Sequence, residues 1–296
     1  MKGTFRPSTK VGSCEPSANA NKAIPIPVTG RGTICGIYLM FYNGENLVTD
    51  LAKVQKALKS VWMYGAKIDG TQIDFIKPGF PAELLYKREG YYSALRGIVP
   101  EAEILSYDPS AASGKDEEHR VYRNIGCLDM ATMAIDLTFG SDITGVTRVE
   151  LEIEYDYSLV AKLGLHTRLG WTTMNVPKTG GDIEFDRLPK QNTSFGYEAI
   201  HIMEPPKQKI DRLSLTINTD NHVLKDRPVK LLQRLQREAD RTPQAGMVSL
   251  DFAKEDVIAY NLPGDIQDIK LKPHFVAEAT AADATVIVWY EQLFMG

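Results

Sequence analysis

Residues 209–252 read as a strand, a turn, a helix and a second strand in close succession, and the same order of signals recurs earlier in the chain. Leu213, Leu215 and Ile217 alternate with Ser214 and Thr216, the period of a strand with one buried face. Asn218-Thr219-Asp220-Asn221 supplies turn chemistry. Asp226 then stands as a helix N-cap with Pro228 in the first turn, and Val229, Leu231, Leu232 and Leu235 follow at helical spacing. Pro243 and Gly246 break the chain before Met247-Val248-Ser249-Leu250-Asp251-Phe252, which alternates again.

The first half offers a matching series. Ile34, Ile37, Leu39 and Phe41 lead a strand closed by Asn43-Gly44, and Leu51, Val54 and Leu58 share a helical face behind the capping candidates Thr49 and Asp50. Residues 60–67 read as a buried strand ended by Asp69-Gly70, and residues 80–87 as a short helix opened by Pro81, in the place that Pro228 holds later. Residues 97–104 then occupy the position of 246–250. Residues 130–139 lead into 147–155, a clean alternating strand, as 266–278 lead into 284–290. Pro81 to Tyr155 is 74 residues and Pro228 to Tyr290 is 62, and the surplus fits one polar loop, residues 108–119.

These signals divide the chain into an N-terminal arm at 1–30, rich in Pro, Ser, Asn, Lys and Gly, a first module at 31–160, a linker at 161–194 and a second module at 195–296. At 296 residues, two domains or one large all-β body are both open on length alone. Two modules of short alternating strands with a helix or two in the connections predict an all-β chain of two tandem eight-stranded jelly-roll β-sandwiches.

Composition narrows the function. With 43% hydrophobic and 24% charged residues the chain is of ordinary globular composition, and a net charge of −4 gives no electrostatic footprint for direct nucleic-acid binding. Cys14, Cys35 and Cys127 are odd in number and far apart, which fits neither a disulfide framework nor a zinc module and fits synthesis in a cytoplasm. Val11-Gly12-Ser13-Cys14 faintly matches a lipoprotein box but has no apolar segment before it. The longest apolar run, residues 34–42, is strand-sized, so the chain is expected to be soluble by itself while able to rest against a membrane.

Phe195-Gly196-Tyr197-Glu198-Ala199-Ile200-His201-Ile202, Ile266-Gln267-Asp268-Ile269-Lys270-Leu271 and Ala284-Thr285-Val286-Ile287-Val288-Trp289-Tyr290-Glu291, taken in this order and spacing, resemble the major coat protein of corticoviruses. That family belongs to the double jelly-roll capsid lineage of tectiviruses and adenoviruses. The similarity is clearest over residues 195–291; in the first half the pattern matches more than the residues do. The resemblance implies a non-enzymatic major capsid protein of an icosahedral bacteriophage with an internal membrane. Three chains would form a pseudo-hexagonal capsomer, because an internal duplication supplies six near-equivalent faces. It further implies a homotrimer among neighbouring capsomers, minor capsid or vertex proteins and membrane lipids as partners, and no cofactor. In that setting the arm would meet neighbours or lipid headgroups through Lys2, Phe5, Arg6, Lys10 and Lys22.

Catalytic chemistry is the rival reading, since some two-sandwich proteins bind or hydrolyse glycans with paired carboxylates. Its candidates are Glu150, Glu152 and Glu154, which share one strand face and read more simply as a solvated or interface surface, and Asp251 with Glu255 and Asp256. His119, His166, His201, His222 and His274 are dispersed without metal-ligand spacing. No serine lies in a Gly-x-Ser-x-Gly elbow, and Gly30-Arg31-Gly32 opens a strand where a dinucleotide fingerprint opens a helix. Residues 116–120 read as a solvated loop rather than a calcium or receptor site, and Asn192-Thr193-Ser194 is a sequon without a secretory signal. Trp62, Trp171 and Trp289 are assigned to core or inter-subunit packing rather than to a sugar platform.

Overall fold

The computed structural model describes residues 7–97, 100–101, 103–113, 123–189, 194–218, 221–252, 268–276 and 282–295. Two compact units emerge, Met1–Leu169 with Met295–Gly296, and Gly170–Phe294.

The first unit opens with β1 (Ser8–Cys14) and β2 (Asn21–Ile26), followed by β3 (Thr33–Asn43), β4 (Asn46–Leu47), α1 (Leu51–Ala57), β5 (Leu58–Lys67) and β6 (Gln72–Pro81). Next come α2 (Ala82–Arg96), β7 (Ile104–Tyr107), β8 (Met130–Phe139) and β9 (Arg148–Asp156). One sheet runs β1-β9-β3-β4, with β7 also on β3; the other places β6, β5, β8 and β2 side by side. Ile37, Leu39, Phe41, Leu151 and Ile153 from the first sheet and Val61, Met63, Phe75, Ile135 and Leu137 from the second are buried, the inward half of each alternation. Asp50 caps α1 as its sequence position predicts, its Oδ1 accepting from the Ala52 amide at 3.0 Å.

The chain passes into the second unit along β10 (Leu165–Val176), then forms β11 (Gly181–Asp182), β12 (Ser194–Met203), β13 (Ile210–Ile217) and β14 (Asn221–Pro228). The helix α3 (Val229–Glu238) leads to β15 (Met247–Asp251), β16 (Ile269–Phe275) and β17 (Ala284–Met295). The sheets run β15-β12-β17-β10 and β11-β16-β13-β14. Between them Tyr197, Ile200, Leu213, Leu215, Leu250, Leu271, Phe275 and Val288 form a single apolar cluster.

The duplication expected from the sequence is a duplication of pairing. In the first unit β3 pairs with β9 and β7, and β5 with β6 and β8. In the second, β12 pairs with β17 and β15, and β13 with β14 and β16. The opening strands correspond too: β1 and β2 border β9 and β8 as β10 and β11 border β17 and β16. Stretches read from composition as an arm and a linker therefore contain the same two strands of each jelly roll. In β2, Ile24 and Ile26 point inward while Pro25 takes an edge position, where its missing N–H costs no ladder bond.

Three local readings change. The helix read at 80–87 runs to Arg96 and ends on Gly97 in the left-handed conformation, φ 67°, so residues after it are not yet strand; β7 begins at Ile104. Asp226 is not the cap of α3: it belongs to β14, its carboxylate accepts from Arg212 at 3.1 Å, and Pro228 holds the N-cap position. Residues 108–113 are no surface loop, because Asp108, Ser110, Ala111 and Ala112 are buried; 114–119 lie outside the described residues. The turn read at 218–221 falls partly outside them as well.

Candidate assembly surface

The glutamates of β9 project from one face of their sheet, as their spacing requires, and each is engaged. Lys10 of β1 and Arg148 both bind the Glu150 carboxylate, Arg148 at 2.9 Å while lying over the Tyr42 ring. Ser8 donates to Glu152, and the Tyr38 hydroxyl donates to Glu154 at 2.9 Å. Burial, followed by the Glu154 charge, pushes the Tyr38 phenol well above its usual range and keeps it a donor. Asp251 is buried against Arg241 at 2.7 Å, and Glu255 and Asp256 lie outside the described residues. Four of the named carboxylates thus serve as partners of cations and hydroxyls, the arrangement of a structural face rather than of a glycosidase pair.

The histidines follow the same logic. In the second unit His201 Nδ1 lies 2.8 Å from Ser249 Oγ and Nε2 3.4 Å from Glu291, while its ring stacks on Trp289 at 3.8 Å. Gln236 of α3 donates to the Ser249 carbonyl at 2.6 Å. The order Ser-His-Glu resembles a hydrolase triad, but all three side chains are sealed from solvent, so no substrate reaches the hydroxyl. In the first unit His166 receives the Arg168 Nε–H at 3.1 Å and its Nδ1 meets the Gly164 carbonyl at 3.0 Å, which fixes a neutral Nδ1–H tautomer. Burial first, and Arg168 in addition, lower its pKa to about 4. His274 is partnered by Asp211 at 2.6 Å, and His119 and the His222 side chain lie outside the described residues. Among the described residues no group of three or more His, Cys, Asp or Glu is placed to hold a metal ion, and no helix is long and apolar enough to cross a membrane. Trp289 is core, as expected, whereas Trp62 is half-buried, stacked on Tyr64 at 4.1 Å and bonded to Asp74 at 2.8 Å.

One end of the first unit is different. There β2, β5 and β9 finish and β1, β3 and β8 begin, and the connecting loops surround a groove of about 340 Å³. Four apolar side chains on its rim face solvent: Ile68 at 72% exposure, Val160 at 59%, Leu128 at 54% and Tyr157 at 40%. Clustering of this kind marks an interaction site, whereas single exposed hydrophobes need no explanation. The loops are held firmly. Asp129 accepts from the Leu163 amide at 2.7 Å and pairs with Lys67 at 3.4 Å, and its carbonyl accepts from the Ile68 amide at 2.9 Å. The Leu128 amide donates to Ala161 at 2.9 Å, Thr33 Oγ1 to the Leu159 carbonyl at 2.8 Å, and Arg31 to the Tyr157 hydroxyl at 2.7 Å. A Cβ on Gly32 would stand 2.0 Å from the Asp156 carbonyl oxygen, so only glycine permits this approach. Cys127 lines the groove with a pKa raised by burial to about 12, so it stays a thiol. Sequence reading passed over this site because its residues are scattered hydrophobes in three separate loops, and only the fold collects them.

Of the arm residues, Lys10 sits on β1 and Lys22 on β2; Lys2, Phe5 and Arg6 lie outside the described residues.

Residues 167–291, nearly the whole of the second unit, match the family of the viral coat protein P2 C-terminal domain. The second unit is similar to a viral coat protein domain. The complete chain shares the double jelly-roll fold of such proteins. It superposes on the major capsid protein P2 from bacteriophage PM2 with a TM-score of 0.75 at 15% identity, covering 99% of this chain and 98% of that one. A chain of the atomic structure of Sulfolobus Turreted Icosahedral Virus gives 0.64 at 13% identity, covering 98% and 91%. The PBCV-1 virus capsid gives 0.62 at 10% identity, covering 98% and 93%. No curated protein sequence matches the chain significantly. The role that accompanies a coat protein domain is structural rather than enzymatic, which agrees with carboxylates spent on internal pairs.

Proposed function

We propose that the chain is the major capsid protein of an icosahedral, membrane-containing bacteriophage, with three copies forming a pseudo-hexagonal capsomer. The duplicated pairing scheme carries the reading. Six near-equivalent sandwiches from three chains fill a six-fold position in a shell without six different proteins. Individual contacts between capsomers can then be modest, because they accumulate over many copies. The chain is made in the host cytoplasm and ends in the virion, where its partners are further copies, minor capsid or vertex proteins and the lipid beneath.

The groove-bearing end of the first unit faces those partners, with Lys2 and Arg6 available for a neighbouring capsomer or an anionic headgroup, while Lys10 and Lys22 act from within their strands. Light scattering behind a sizing column tests the trimer. The expected species has three times the 33.0 kDa chain mass, and a concentration-independent monomer would end the capsomer reading. Charge reversal at Lys2 and Arg6 should lower flotation with anionic vesicles; deletion of residues 1–30 is the wrong test, because it removes two strands of the fold.

A further inference from the structure

We propose that the rim of the groove in the first unit is a lipid-contacting surface, with Ile68, Leu128, Tyr157 and Val160 entering the interface of an anionic bilayer. The inference rests on the capsid reading for the bilayer it would meet, and on this chain alone for the surface. Ile68 stands in the turn between β5 and β6, Leu128 just before β8, and Tyr157 and Val160 in the connection that leaves β9. Three loops thus bring four apolar side chains out at one end of one sandwich. A face that packs on protein is built differently. A stable protein interface takes about 800 Å² of continuous surface from each partner, which four side chains spaced around an open groove do not supply. Binding to a bilayer needs no matching shape; it grows with the apolar area that enters and with the attraction of cations to anionic headgroups.

The charges beside these tips are sorted by sign. Asp156 is buried and accepts from the Ser158 amide at 3.0 Å, while Asp129 is held by the Leu163 amide and Lys67. Asp69 is exposed and accepts from the Thr71 amide at 2.9 Å. Lys162 is exposed next to Val160, and Arg31 lines the rim with its guanidinium on the Tyr157 hydroxyl and over the Tyr155 ring. Two of these three carboxylates are therefore turned inward and the cations stay at the surface, which complements anionic headgroups. Tyr157 suits the boundary, with an apolar ring and a polar tip. The hydrogen bonds that hold these loops fix the tips in advance, so contact costs little ordering of the chain.

The test floats the full-length chain with vesicles of phosphatidylglycerol and phosphatidylcholine, and with vesicles of phosphatidylcholine alone. The unaltered chain should float with the anionic vesicles. Ile68→Ser, Leu128→Ser and Val160→Ser combined, all at exposed positions, should weaken that binding by about tenfold or more. Lys162→Glu should weaken it by about fivefold and leave the weaker binding to phosphatidylcholine unchanged. Leu47→Ser with Leu51→Ser, also exposed but located where β3 ends, is the control and should float as the unaltered chain does. No flotation of the unaltered chain, or equal flotation of the triple variant, overturns the proposal. So does a triple variant that loses mass in light scattering while its flotation is unchanged, which would mean that a second copy covers the rim. A trimer that does not float leaves the capsomer reading standing without this surface, whereas a monomer that floats through these tips keeps the surface and ends the capsomer.

Discussion

The helices α2 and α3 occupy the same place in two copies of one pairing scheme, yet they are built for different environments. In α3 only Val229, Leu232 and Gln236 are buried, the narrow stripe of a helix lying on a sandwich. In α2 ten of fifteen residues are buried, from Ala82 and Leu84 to Tyr91, Tyr92 and Leu95, with Arg88 and Glu89 among them. Arg88 donates to the Asp108 carbonyl at 3.0 Å and lies over the Tyr92 and Tyr107 rings, and Arg96 pairs with the Asp108 carboxylate at 3.2 Å. Asp108 also accepts from the Ser110 amide and hydroxyl, both at 2.7 Å. A jelly roll thus specifies where a connection goes and leaves its burial free. A connection that turns inward must bring partners for every charge it carries.

The sharpest way to break the comparison is to remove that partner. Asp108→Ala leaves the largely covered Arg96 guanidinium without its buried carboxylate and should cost about 3–5 kcal/mol by urea denaturation. The corresponding change on α3, Arg234→Ala, removes an exposed i,i+4 pair with Glu238 and should cost less than about 0.5 kcal/mol. Equal losses would mean that α2 is not the internal helix its burial indicates.

Protons probe the same contrast. The unfolded-state pKa of His166 is 6.5 and the folded value is about 4, so between these values the unfolded chain binds the proton and the folded chain does not. Its contribution to stability is complete above pH 6.5, falls away as the pH drops and is gone below about 4. The difference is worth about 3 kcal/mol. Burial raises the pKa of Glu89 in the same unit, which opposes the trend, so the measurement is the difference between the chain and His166→Gln across this window. The variant should flatten the acid side of the profile; parallel profiles would remove His166 from the account.

How much of this was legible depends on how the side chains divide between two faces. The strands β3, β9, β13 and β15 were readable because Ile37-Leu39-Phe41, Val149-Leu151-Ile153 and their equivalents alternate against polar neighbours. The helix α3 was readable for its stripe, and α2 only over its first turns, since a helix buried nearly all round has no polar face to set its period. The groove was illegible because Ile68, Leu128, Tyr157 and Val160 each look like a stray hydrophobe until the topology gathers them.

A modest effect decides the comparison between the two openings, residues 8–26 and residues 165–182. Ser8–Cys14 is polar enough to read as tail, and Asn21–Ile26 offers Ile24 and Ile26 beside Pro25, which discourages a strand reading. Proline is nevertheless admissible on an edge, and the alternation of Ile24, Ile26 and Val28 is the signal that composition hid. Ile24 is 1% exposed, and a Cβ added to Gly12 would approach its Cγ2 to 2.5 Å, so the methyl groups of this residue are closely surrounded. Ile24→Val removes the Cδ1 methyl of this buried side chain and should cost about 0.5–1.5 kcal/mol in chemical denaturation. A residue in a loosely attached arm would tolerate the change without measurable loss. The expected loss would make residues 8–26 the structural counterpart of β10 and β11, and would confine any arm that reaches a neighbour or a membrane to the few residues before Pro7.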